Sequence, residues 1–166
     1  MRRIVYSAAM AILCSACSGF LSQTPARVEA GDLLVAVGDD WTGTLTYRDY
    51  SPPHGDVTLQ VEAKVKAVAG GLSIALHYPR EPGADGISDL LLTDGGRVFD
   101  GEPVISAERA GDTLQIVTEA ACEDDNRPAT CRHIYSIAPK QLGWRKLVQF
   151  AGDGEAVRRN DYSFTR

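Results

Sequence analysis

Eleven consecutive residues, Val57 to Ala67, alternate without a break. Val57, Leu59, Val61, Ala63, Val65 and Ala67 are apolar; Thr58, Gln60, Glu62, Lys64 and Lys66 are polar. Successive side chains of a strand point to opposite faces, so this segment reads as a strand with one face in a core and the other in water. A helix would scatter the same residues around its axis. Such a strand needs paired neighbours and a second apolar layer to cover its buried face.

The neighbours repeat the pattern. Trp41, Gly43, Leu45 and Tyr47 share one face of residues 41–50, and Thr42, Thr44, Thr46 and Arg48 share the other. Trp41 is expected at the inward end of that face, with Gly43 permitting close approach of an adjacent chain. Gly70-Gly71 is a turn signal, and Leu72, Ile74, Leu76 and Tyr78 follow as the next apolar face. Pro79 to Gly83 breaks the chain. Further strands are predicted over Ile87–Thr93, Arg97–Asp100, Pro103–Arg109, 113–121, 131–138, Leu142–Phe150 and 156–165, separated by Gly- and Asp-rich turns. A short helix over Ala26–Val37, stopped by Gly38, precedes them. Nine or ten short strands joined by tight turns predict an all-β fold. Their sequential order favours a single antiparallel up-and-down barrel over a sandwich.

The N-terminus predicts the compartment. Arg2 and Arg3 precede a short apolar run from Ile4 to Leu13, and Ser15-Ala16-Cys17-Ser18-Gly19 follows. This is the layout of a bacterial export signal, too short for a membrane span of about 20 residues. Cleavage after Ala16 by an ordinary signal peptidase is one outcome. Acylation of Cys17 is the other: Leu13-Cys14-Ser15-Ala16-Cys17 resembles a bacterial lipobox, with Cys14 where Leu is usual. The expected organisation is a signal peptide at 1–16, a tether at 17–27 and a β-barrel domain at 28–166. The resemblance implies a lipid anchor on Cys17 and the periplasmic side of the cell envelope. Ser18 in place of an Asp points to the outer membrane.

Removing residues 1–16 removes two arginines and takes the formal net charge from −5 to about −7. An acidic domain of this kind argues against nucleic acid, whose phosphates need a basic face. Cys122 and Cys131 fall in the mature domain, and in an oxidising compartment a disulfide is the default. Turn formers Asp124, Asp125, Asn126 and Pro128 lie between them. Closing such a loop stabilises by roughly 2.5–3 kcal/mol in the chain-entropy model. A metal site from Cys122, Cys131 and His133 with Glu123 or Asp124 lacks the paired short spacings of zinc modules. No metal or cofactor is expected.

The short helix running into Trp41-Thr42-Gly43-Thr44-Leu45-Thr46-Tyr47, and the Arg-rich last strand Arg158-Arg159-Asn160-Asp161-Tyr162, resemble the calycins, the lipocalin and fatty-acid-binding barrels. That resemblance implies a Trp plugging one barrel end, with a late-strand Arg packed on it or reaching a ligand. The chain is also similar to an uncharacterised exported bacterial lipoprotein family through Trp41 to Tyr50, Asp100-Gly101-Glu102-Pro103 and Asp125-Asn126-Arg127-Pro128. This likeness implies no particular activity.

No catalytic signature is present in the sequence. Gly71-Leu72-Ser73-Ile74-Ala75 lacks the strand before and helix after that a nucleophile elbow requires, and Glu123-Asp124-Asp125 reads as a solvated hairpin tip. The last three strands carry the candidate site. His133 and Tyr135 share one face of their strand, Trp144 and Lys146 a face of the next, and Arg158, Asn160 and Tyr162 a face of the last. Turned inward, they would furnish a cavity for an amphipathic anion, an apolar wall with a few convergent donors. Turned outward, the charges would protect a surface. The expected function is therefore a membrane-tethered binding barrel for a small lipophilic or amphipathic ligand, not an enzyme. The alternative is an envelope interaction protein whose barrel is filled by its own side chains. The sequence names no protein partner.

Overall fold

The computed structural model describes residues 26–166. The expected signal peptide, Cys17 and the tether up to residue 25 lie outside the described residues.

Ten antiparallel strands follow in chain order: β1 (Gly38–Asp49), β2 (Gly55–Val68), β3 (Gly71–His77), β4 (Gly86–Thr93), β5 (Val98–Phe99), β6 (Glu102–Ala110), β7 (Thr113–Asp124), β8 (Arg127–Ala138), β9 (Gln141–Phe150) and β10 (Val157–Thr165). Each pairs with its chain neighbours, and β1 pairs with β10 to close the barrel. This is the up-and-down meander that the alternation predicts. Closure leaves the end strands without an open edge, the feature that makes isolated sheets sticky. The inward set of β2 is buried at Val61, Ala63 and Val65, and the barrel core continues through Leu72, Ile74, Leu90, Ile116, Tyr135 and Ile137.

One end is plugged. The helix is shorter than residues 26–37: α1 spans Ala30–Leu33 and a 3-10 turn continues it over Leu34–Ala36. The reason lies before it, where Val28 is drawn out of the helix and its N–H donates to the Gly96 carbonyl at 2.9 Å. Gly96 has φ +84°, and a Cβ there would meet the Val28 oxygen at 2.0 Å, so only glycine fits. Val28, Leu33 and Ala36 are buried, while Leu34, Val35 and Val37 face outward.

Trp41 is fully buried under this plug, and its indole Nε1–H donates to the Ala36 carbonyl at 2.9 Å. The guanidinium of Arg166 lies 4.4 Å over the indole and donates to the carbonyls of Val35, Val37 and Pro139. An arginine packs on Trp41, but it is Arg166, past the end of β10, and not one of the Arg158-Arg159 pair of the last strand. Gly43 allows β10 to approach: a Cβ there would sit 2.0 Å from the Ser163 carbonyl oxygen.

Cys122 and Cys131 are joined, with Cα atoms 5.7 Å apart. The segment between them is not the loop its turn formers suggest. β7 and β8 run on to pair Asp124 with Arg127, and Asp125-Asn126 alone makes the turn, both at positive φ. Two left-handed residues are what a two-residue hairpin turn of matching twist requires. The disulfide crosses the hairpin diagonally on its inner face, beside buried Val148 and Phe150.

Candidate functional site

At the end opposite the plug, the registers of three strands converge polar groups. Tyr47 of β1 faces Asn160 of β10, which faces Lys146 of β9; one step deeper, Leu45 faces Tyr162, which faces Trp144. Between them is a cavity of about 310 Å³. Leu45, Tyr47 and Tyr162 form its apolar and phenolic side; Asp124, Lys146, Arg159 and Asn160 form its polar side.

The β7–β8 hairpin tip reaches in through Asp124, whose side chain is only 7 % exposed. Lys146 Nζ donates to Asp124 Oδ2 at 2.8 Å. Arg159 Nε lies 3.4 Å from Asp124 Oδ1, but that oxygen accepts no hydrogen bond. Arg159 donates instead to the Arg48 carbonyl and stacks at 4.6 Å over the Tyr50 ring. Burial, and then the Asp124 charge beside it, push the Tyr50 phenol above its ordinary pKa, so it stays a neutral donor. The Tyr50 hydroxyl is also drawn toward the Asp124 carboxylate, a weak hydrogen bond that adds to the shift. Among the described residues, Tyr50 Oη, Asp124 Oδ1 and Asn160 Oδ1 are the buried side-chain polar atoms without a well-formed hydrogen bond; Asp124 and Asn160 line the cavity, Tyr50 does not, and Asp124 Oδ1 keeps its ion-pair contact with Arg159. Buried polar groups are normally paired, because an unmet one costs about 1–3 kcal/mol.

Beneath the cavity the barrel is filled. Tyr162 stacks on Trp144 at 4.4 Å, Phe164 lies 5.6 Å from Trp144, and the Tyr162 and Tyr78 hydroxyls are 2.9 Å apart. A second polar group lies across the interior. Glu102 Oε2 accepts from the Thr118 hydroxyl at 2.6 Å and from His133 Nδ1–H at 2.7 Å. The Tyr135 hydroxyl donates to Asp100 Oδ2 at 3.1 Å, and burial, followed by the Asp100 charge, holds this phenol far above its ordinary pKa. In this group the polar atoms named are satisfied by one another.

Of the residues expected at a site, Lys146, Asn160 and Tyr162 meet at the mouth. His133 and Tyr135 also point inward but belong to the Glu102 and Asp100 group. Arg158 does not join either: it pairs on the outside with Asp56. The cause is a bulge. Asn160 faces Lys146 while Arg158 faces Leu147, so β10 holds one residue more than β9 over this step. Arg159 thereby takes the inward place. Asp124, Arg159 and Tyr50 escape sequence reading, and the Glu123-Asp124-Asp125 tip is not uniformly solvated. The one available signal was the Arg158-Arg159 pair, either of which would suit the role.

The described residues form a closed antiparallel β-barrel with a helical plug at one end and a small cavity lined by charged residues at the other. No protein-family model matches the sequence, and no curated protein matches it. Its fold is similar to the crystal structure of Rv2717c from M. tuberculosis, with a TM-score of 0.54 at 10% sequence identity. That likeness covers 82% of this chain and 95% of the other, and it shows the barrel alone.

Proposed function

We propose that the protein is a lipid-anchored binding barrel of the bacterial periplasm, not an enzyme, and that its mouth takes a small amphipathic anion. The observation that carries this reading is the cavity itself, with the cations Lys146 and Arg159 on its polar side and Leu45 and Tyr47 on its apolar side. About 310 Å³ is at the small end of ligand cavities. The Trp144–Tyr162–Phe164 layer below excludes a long acyl chain lying along the barrel axis. The ligand is therefore compact, with its acid at Lys146 and Arg159 and its apolar part against Leu45 and Tyr47.

Native mass spectrometry of protein purified from its own envelope tests this reading. A retained small acid, lost in Lys146→Met and kept in Arg158→Ala, is the expected result. A bare protein mass, with no uptake of added octanoate, would overturn it. The same aromatic layer favours the second reading, an envelope interaction protein with a filled barrel, and that reading would then stand. Anchoring rests on Cys17: globomycin should accumulate the precursor, and Cys17→Ser should release the domain from the membrane. Unchanged processing and membrane retention in both experiments would sink the lipoprotein reading.

A further inference from the structure

At the plug end the backbone is closed and the side chains are open. Four consecutive carbonyls there each accept a hydrogen bond. Leu34 accepts from the Val37 N–H at 3.1 Å, Val35 from Arg166 Nη2 at 2.9 Å, Ala36 from the Trp41 indole at 2.9 Å and Val37 from Arg166 Nη1 at 2.7 Å. What this turn offers outward is hydrocarbon: Leu34 is 53 % exposed, Val37 38 % and Val35 37 %. Val68 and Leu91, also exposed, flank Gly71 across the β2–β3–β4 register, on the strand beside which α1 packs. Of the exposed large apolar side chains among the described residues, only Ile87 and Ile105 lie elsewhere. The charges around the plug are paired with one another: Arg27 with Glu29, Arg109 with Asp32 and Arg97 with Asp94. Hydrocarbon over a fully paired backbone suits a lipid surface, where an unmet carbonyl is heavily penalised. Protein-binding patches instead centre on aromatic or arginine anchors, and these five side chains are aliphatic.

The chain enters the barrel at this same end, where Val28 is held by Gly96. Cys17 lies nine positions before Ala26, and nine residues span at most about 30 Å. An anchored Cys17 therefore keeps the plug close to the bilayer, at the high effective concentration that makes a weak apolar contact count. Resting on the lipid anchor proposed above, we propose that the plug end is a membrane-seating face. Leu34, Val35 and Val37 sink into the boundary between headgroups and acyl chains, Val68 and Leu91 lie at the rim, and the mouth opens away from the membrane. The anchor supplies attachment, and the seat supplies orientation.

The test uses the full acylated chain in vesicles of phosphatidylethanolamine and phosphatidylglycerol. An environment-sensitive fluorophore is placed on Val35→Cys, or on Glu155→Cys in the exposed loop at the mouth end. Intact mass first establishes the acyl group on Cys17. Relative to the same label on the Cys17→Ser chain free in solution, the Val35 label should emit at shorter wavelength and be quenched by lipids spin-labelled near the headgroup. The Glu155 label should do neither. Leu34→Ser/Val37→Ser should abolish the shift at Val35 and leave thermal unfolding unchanged. Phosphatidylcholine vesicles should give the same result, since the charges around the face are paired. A water-like Val35 label on an acylated chain would overturn the seat and leave the anchor standing. So would a label shielded only when phosphatidylglycerol is present, or only in native envelopes, which would give the face to charge or to a protein partner. An unacylated Cys17 would overturn anchor and seat together.

Discussion

The two ends of the barrel use the same kinds of residue to opposite effect. At the plug, an arginine and a tryptophan satisfy each other and everything around them. Arg166 caps the Trp41 ring and closes three backbone carbonyls, and the indole N–H meets a fourth. At the mouth, Arg159 caps the Tyr50 ring in the same way, yet the phenol, Asp124 and Asn160 each keep an atom without a well-formed hydrogen bond. The plug is optimised for stability. The mouth holds the Lys146–Asp124 pair with side chains only 21 % and 7 % exposed, and burying such a pair contributes little to stability. The residue types alone therefore do not separate the two ends; the pairing of their polar atoms does.

Mutation of each end should break the symmetry between them. Trp41→Ala removes a fully buried ring and should cost about 3–5 kcal/mol in denaturant unfolding. A loss under 1 kcal/mol would mean the plug is not the structural end. Next in size is the disulfide. Cys122→Ala/Cys131→Ala should lose about 2–4 kcal/mol, with amide exchange rising first in the β7–β8 tip that delivers Asp124 and not around Trp41. Two freely alkylated thiols in the native protein would refute the bond. The mouth should respond with the other sign. Asp124→Leu/Lys146→Met replaces a desolvated ion pair by apolar groups and should leave stability unchanged or raise it by about 1 kcal/mol or more. Anion uptake should be abolished at the same time. A strong destabilisation there would make the mouth a second structural lock.

The plug end was far more legible in the sequence than the mouth. Strand faces follow from a period of two, so Trp41, Leu45 and the β2 set could be placed inward from their spacing alone, and the Gly43 approach followed from its place among them. The mouth depends on events with no period. The extra residue in β10 exchanges Arg158 for Arg159, a one-residue slip that alternation cannot reveal. Asp124 looks like hairpin surface until the curl of β7–β8 brings it within 2.8 Å of Lys146, 22 residues away. Tyr50 lies just past the end of β1, where pattern reading stops. Lys146, Asn160 and Tyr162 could be read because they lie on regular strand positions.

The smallest expected effect concerns the loop between β3 and β4, which abuts the floor of the mouth through Tyr78 and its hydroxyl contact with Tyr162. Asp85 Oδ2 accepts from His77 Nδ1–H at 2.8 Å and Asp85 Oδ1 accepts the Tyr78 N–H at 2.7 Å. The hydrogen bond to Asp85 raises the His77 pKa above 6.5; the His77 and Tyr78 donors lower that of Asp85 below 3.8. A raised histidine contributes stability that is complete below its unfolded value and fades as pH rises through its folded one. A depressed carboxylate contributes above its unfolded value and loses that contribution as pH falls through its folded one. Both therefore act between about pH 4 and 6.5, and above that window the loop loses the histidine's share. Both side chains are well exposed, so solvent screens the pair and the effect on global stability is small. It should be visible locally. The His77 ring proton should titrate above 6.5 by NMR and return to the ordinary value in Asp85→Asn. Amides of residues 79–85 should lose protection between pH 6 and 8, after correction for intrinsic exchange, while those around Trp41 hold theirs. A His77 titrating at or below 6.5 would uncouple this loop from pH and leave the mouth's floor fixed by the tyrosine pair alone.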